Sequence, residues 1–197
     1  MRKLITGMFI GIMSIVLIGC GATAKIIEQK AQNARTDVFT EITNDDNPTQ
    51  GFVTLAIKAT IKTPLEGYYL FDSLCGKPGY PFIMNIDGQA ATWKVDGQKE
   101  IVPSYDKDGK ISHDPEAGEG IKYVLEKKIQ LRPGKHKVFL GLPSEDYFKE
   151  LEVTLREGKT YKLEFKPIYK YKTQPTRLPS FKKSIKEYEV YLNNLNI

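Results

Sequence analysis

The chain has 197 residues, with 29 Lys and Arg set against 24 Asp and Glu, and a formal net charge of +5. Charges of both signs are interspersed, which argues against a dedicated nucleic-acid binder, since such proteins concentrate positive charge on one surface. Eleven Tyr and nine Phe, with many Val, Ile and Thr, favour strands over helices.

Met1 to Cys20 opens with Arg2 and Lys3, continues as an apolar run from Leu4 to Ile18, and ends Gly19-Cys20. A basic start, a short apolar stretch and small residues at the end describe a secretory signal peptide. The run is shorter than the roughly 20 residues of a membrane-spanning helix, and Gly7, Gly11 and Ser14 interrupt it. An uncleaved anchor helix and a cleaved, unlipidated signal remain the alternatives. The order Leu17-Ile18-Gly19-Cys20 resembles the lipobox of bacterial lipoproteins. The resemblance implies removal of residues 1–19 and acylation of Cys20, hence attachment to a membrane of the cell envelope. Gly21 after the cysteine implies the outer rather than the inner membrane if the source is Gram-negative. Losing Arg2 and Lys3 lowers the net charge from +5 to +3.

Residues 20–50 read as a lipidated N-terminus and a tether with weak helical tendency, closed by the polar turn formers of 43–50. Residues 51–197 read as one domain. Val53, Leu55, Ile57, Ala59 and Ile61 alternate with polar residues, which is the period of a half-buried strand; Pro64 ends it. Glu66 to Phe71 is an aromatic run, and 75–79 a Gly- and Pro-punctuated loop. Pro81–Ile86 and Ala91–Val95 form a hairpin across Asp87-Gly88, and Asp96-Gly97 a second turn. Residues 103–120 form a loop longer than ordinary connections.

Ile121, Tyr123, Leu125 and Ile129 share one face of a strand. Lys127 interrupts that face and predicts a bulge or an exposed end. Arg132-Pro133-Gly134-Lys135 fits a type II turn leading to a strand through Val138, Leu140 and Leu142. Leu151, Val153 and Leu155 are expected to pair with Tyr161, Leu163 and Phe165 as a hairpin around Gly158, closed by Pro167. A last strand covers Tyr188–Leu192, and short helices are possible at 144–150 and 181–188. Seven or eight strands with closely spaced turns predict an all-β fold, an antiparallel β-sandwich.

Two pieces resemble PEGA-like domains, small sandwich modules of bacterial envelope proteins: Met84-Asn85-Ile86-Asp87-Gly88-Gln89, and Leu131 to Val138 followed by Leu151 to Leu155 and Gly158. The naming Pro-Glu-Gly-Ala motif is absent, and about 40 residues separate the pieces. The resemblance implies a transthyretin- or immunoglobulin-like sandwich that binds or scaffolds. It carries over no catalytic residues.

No nucleophile elbow, phosphate loop, zinc spacing or dinucleotide fingerprint occurs, and neither an enzyme nor a cofactor is expected. His136 follows the Pro-Gly turn and suits a strand start. His113, Asp106, Asp108, Asp114 and Glu116 could supply ligands to Ca²⁺, but Gly109 directly after Asp108 breaks the EF-hand spacing, and a solvated acidic loop is the expectation. With Cys20 acylated, Cys75 has no partner within the chain; a buried thiol is expected, with intermolecular pairing or redox chemistry as the other readings. The sustained charge bias lies in 166–183. Lys166, Lys170, Lys172, Arg177, Lys182 and Lys183, with Tyr169 and Tyr171 interleaved, are candidate contacts to anionic headgroups or glycans, or else an ordinary solvated face. Tyr68, Tyr69 and Tyr80 could form a sugar platform. The expected partners are the membrane, through the lipid, and another envelope protein or a surface polymer; a glycan- or lipid-binding accessory role is the alternative.

Overall fold

The computed structural model describes residues 21–43, 49–67, 73–105, 107–170 and 180–197. Among these, the chain forms an all-β sandwich of two sheets with a single α-helix. The large sheet holds β1 (Phe39–Ile42), β2 (Val53–Thr63), β5 (Gln98–Val102), β6 (Gly118–Leu131), β9 (Thr160–Tyr169), β10 (Ile185–Leu192) and β11 (Leu195–Asn196). The small sheet holds β3 (Tyr80–Ile86), β4 (Gln89–Val95), β7 (Gly134–Leu142) and β8 (Tyr147–Leu155). The small sheet runs β4-β3-β7-β8, and the large one β1-β6-β2-β9-β10-β11 with β5 also on β6.

The alternation in β2 has its expected effect: Val53, Leu55, Ile57, Ala59 and Ile61 are all buried. They meet Phe82, Met84, Ile86, Val138, Leu140 and Leu142 from the opposite sheet in one apolar core. Strand β2 pairs antiparallel with β6 without a break, from Val53 opposite Leu131 to Thr63 opposite Ile121. It pairs parallel with β9, so the expected wholly antiparallel order has one exception.

Several expectations are corrected. Lys127 produces no bulge. It keeps the core-facing parity of β6, but β1 pairs with 128–131 and β5 with 118–122 on the same edge of β6. In the gap between them the Lys127 ammonium reaches Glu41 at 2.9 Å and lies 5.7 Å from the Trp93 ring, so the side chain is half-buried and its charge stays paired. Strands β8 and β9 do not form a hairpin. β8 pairs with β7 and β9 with β2 and β10, so the turn around Gly158 crosses between sheets and the two apolar faces oppose each other through the core. The Arg132–Lys135 stretch is also a crossing between sheets, with Gly134 at φ +146°. Pro167 does not close β9, which runs on to Tyr169. Pairing with β2 has ended by Phe165, so the missing N–H of Pro167 costs no bond on that side.

The possible helix at 144–150 is one 3-10 turn, Pro143–Glu145, followed by β8, and the one at 181–188 gives way to β10. Two strands without a sequence signal, β1 and β5, and the terminal hairpin of β10 and β11 bring the count to eleven among the described residues. That last hairpin turns on Asn193 and Asn194, at φ +51° and +68°, a left-handed pair that asparagine tolerates.

The tether stretch contains helix α1 (Gly21–Lys30). Its Ile27 is buried against Ile83 and Phe139 on the outer face of the small sheet, with Phe148 beside them. The Lys30 carbonyl accepts from Asn85 Nδ2 at 2.8 Å, and the Lys30 ammonium pairs with Glu150 at 2.9 Å. A ten-residue helix is too short to persist alone in water, so this docking maintains it. Ile27→Ala is expected to cost about 2–3 kcal/mol of local docking energy and to expose 21–35 to limited proteolysis while the sandwich stays resistant. Equal resistance of variant and parent would contradict the docking.

Candidate functional site

Three clusters of polar chemistry stand out. The first joins the β3–β4 turn to the stretch that leads into β7. At the Asp87-Gly88 turn both residues have positive φ. Asp87 Oδ2 lies 2.7 Å from His136 Nδ1, and Asp87 Oδ1 accepts from the Lys137 N–H at 2.8 Å. His136 Nε2 is 2.9 Å from the Arg132 carbonyl. His136 is buried, so the imidazole fastens the β3–β4 turn to the start of β7.

The second cluster lies under the long loop. Lys62 points to the outer face of the large sheet, yet its side chain has no exposed surface. Its ammonium donates to Glu100 Oε2 at 3.1 Å and to the Glu116 carbonyl at 2.8 Å, and sits 5.5 Å from the Phe181 ring. Lys122 bonds Glu116 at 2.6 Å and is 3.5 Å from Glu100. Glu116 Oε1 also accepts from the Tyr169 hydroxyl at 3.3 Å, and that hydroxyl accepts from the Lys62 N–H at 2.8 Å. Glu116 is therefore committed to Lys122 and Tyr169, and Asp114 to a turn, its Oδ1 accepting from the Glu116 N–H. The loop itself is ordered by the Tyr105–Ile111 bridge, and β6 already begins at Gly118. Among the described residues no group of three or more His, Cys, Asp and Glu is placed to hold a metal ion; Asp106 lies outside those residues.

The third cluster lies at the end of the sandwich where the 73–79 loop meets the Pro143–Glu145 turn. The Cys75 thiol is buried and donates to Glu145 Oε1 at 3.2 Å. Burial, with the Glu145 charge adding to it, pushes that thiol up to about 12, so it stays protonated and a poor nucleophile. Burial also raises Glu145 above its ordinary 4.5, against weaker lowering by bonds from Cys75 and the Ile185 backbone and by Lys170. The folded state thus holds the Glu145 proton more tightly than the unfolded chain. The resulting stability is fully present below the unfolded value and is lost as pH rises through the raised one. Glu145→Gln is expected to flatten this dependence, narrowing the difference in melting temperature between mildly acid and neutral pH. Parallel pH profiles for variant and parent would refute it.

The described candidate contacts of the basic segment lie in different environments. Tyr169 is corrected to a core residue, 8% exposed and edge-on to Phe181 at 5.1 Å. Tyr80, fully buried and stacked on Tyr123 at 4.6 Å, cannot serve a sugar platform. Lys166 lies over the Tyr191 ring at 4.5 Å. Lys183 donates to the Pro115 carbonyl at 2.7 Å, Lys182 is half-buried, and Lys170 is exposed. Cys20, Tyr68, Tyr69, Tyr171, Lys172 and Arg177 lie outside the described residues.

Two surfaces escaped the sequence. An open groove of about 740 Å³ runs along β2, with Ala56 between Lys58, Lys128 and Lys162, Glu41 and Glu126 also in its wall, and Thr160 and Asn193 at one end. It was hidden because its lysines come from three strands distant in sequence. The other is the arm of β5 and the following bridge, where Ile101, Tyr105 and Ile111 are each more than 60% exposed. No family model, no curated protein and no solved structure matches the chain.

Proposed function

We propose that the chain is a lipid-anchored protein of the cell envelope, acting as a structural or protein-interaction module without catalysis. The observation that carries the reading is the Leu17-Ile18-Gly19-Cys20 order, placed one residue before a helix that docks on a β-sandwich. Two or three acyl chains at Cys20 would make attachment nearly permanent, since each buried methylene contributes about 0.8 kcal/mol. The PEGA-like resemblance is supported by the Asp87–His136 contact, which ties together the two pieces that carry it. The partner surface is the β5 arm: Tyr105 and Ile111 are cross-strand neighbours, and large exposed side chains gathered on one edge suit a protein contact.

Metabolic labelling with an alkyne fatty acid tests the anchor. Label lost in Cys20→Ser supports it; unlabelled protein, or label surviving that change, removes it. Crosslinking in native membranes tests the module. A crosslinked envelope protein lost in Tyr105→Asp/Ile111→Asp supports the β5 arm, and one retained places the contact elsewhere. The alternative, a glycan- or lipid-binding accessory lipoprotein, is favoured by the open groove along β2, where lysines and two glutamates offer polar contacts. Purified envelope glycans that bind the parent, and bind Lys128→Glu/Lys162→Glu more weakly, would select it.

A further inference from the structure

Helix α1 has a direction on the sandwich. Ile27 lies over Ile83 and against Gly141, where an added Cβ would come within 3.3 Å of it. One turn later the Lys30 carbonyl meets Asn85, and Ala34 and Arg35 bond the Gly88 carbonyl. The chain therefore advances along β3 toward the Asp87-Gly88 turn, and its start points the other way. Gly21 precedes Ile27 by six residues, about 9 Å of helix. β7 ends at Leu142, one residue past Gly141. The start of α1 thus reaches the rim of the sheet, at the end that carries the 73–79 loop, the Pro143–Glu145 turn and the β9–β10 junction.

The same end carries exposed apolar side chains among lysines and acids. Leu74, 38% exposed, and Pro78 project from the loop. Around them stand Lys77, Lys94 opposite Pro81 in the sheet, and Lys170, whose N–H bonds the Ser184 carbonyl. Of the acids at this end, Asp96 accepts from the Gly79 N–H and Glu145 turns inward to Cys75. Glu66 and Asp146 face solvent, so among the described residues the acids of this end offset its lysines.

We infer that this end of the sandwich seats on the bilayer, with Leu74 and Pro78 at the headgroups. The inference rests on acylation of Cys20. Given that acylation, the lipid joins the residue bonded to Gly21, and the docked helix leaves little slack between anchor and body. The anchor then fixes which way the protein faces, presenting the opposite end, with the Arg156–Lys159 and Asn193-Asn194 turns, away from the membrane.

The test uses the full lipidated chain in phosphatidylglycerol-containing vesicles, with acylation of Cys20 verified by mass spectrometry. Fluorophores are placed at Pro78→Cys, Lys94→Cys or Lys159→Cys, labelling the folded protein in which Cys75 is buried. Lipids with a nitroxide on the headgroup are expected to quench positions 78 and 94 several-fold more than 159. Equal quenching at all three positions, in protein shown to be acylated, overturns the orientation. Protein without the acyl group overturns the anchor reading first and the orientation with it. In the Leu74→Asp background, quenching at 78 is expected to fall although the acylated chain stays bound. Quenching that does not fall overturns the role of Leu74.

Discussion

Gly76→Ala is expected to lower stability by about 3–5 kcal/mol, while Gly158→Ala costs only about 1–2 kcal/mol. Both glycines have positive φ, +79° and +70°, where an L-residue is strained by about 1–2 kcal/mol. They differ in their surroundings. A Cβ at Gly158 would meet nothing within 4 Å. A Cβ at Gly76 would fall on backbone, closest to the Glu66 nitrogen and within 2.7 Å of the Leu65 carbonyl carbon. Backbone cannot turn aside as a side chain can, so the 65–66 and 75–76 segments must part. Overpacking of that kind adds about 1–3 kcal/mol. The Gly76 N–H bond to Thr63 Oγ1, 3.1 Å long, is lost in the same movement, and Cys75 is loosened from Glu145. Urea midpoints at a common slope measure the difference, and thiol labelling of the folded protein reports the loosening. Equal midpoints for the two variants would show that the two backbone segments part freely.

The split between what was legible in the sequence and what was not follows from what a two-residue period encodes. It says which side chains of a strand are buried. Val53 to Ile61 was therefore readable; Pro81 to Ile86, buried on both faces, was legible instead as a short apolar run before Asp87-Gly88, whose turn residues take positive φ. The period does not say which sheet a strand joins. Leu151–Leu155 and Tyr161–Phe165 carry matching patterns because both face one core, and they do so from opposite sheets. The basic run was legible only as composition. Alternation along β9 sends Lys166 outward and Tyr169 inward, so a charge block in sequence becomes two environments in space. Lys62 carried no signal at all. It sits where the pattern puts a solvated residue, and only the return of Phe181 and Glu116 over the sheet buries it.

That burial makes Lys62 and Glu100 unequal partners. Glu100→Ala is expected to cost about 3 kcal/mol, because removing one member of a buried pair leaves the other charge uncompensated. The Lys62 ammonium, with no exposed surface, would keep only the Glu116 carbonyl and the face of Phe181. Lys62→Met is expected to cost no more than about 1 kcal/mol. The ammonium leaves together with its desolvation penalty, the thioether stem fills the same space against Phe181, and Glu100, a third exposed, retains water and Lys122. The double variant, Lys62→Met with Glu100→Ala, should then be more stable than Glu100→Ala alone, since it removes the stranded charge. A double-mutant cycle from denaturant melts measures this coupling. Strictly additive losses, or a Lys62→Met loss exceeding that of Glu100→Ala, would show that the lysine contributes net stability rather than fixing where the long loop closes over the sheet. In the expected outcome the pair holds that loop in place: Glu100→Ala makes residues 103–117 protease-sensitive, and Lys62→Met leaves them protected by the Phe181–Glu119 backbone bond at 2.7 Å and by the Lys122–Glu116 pair.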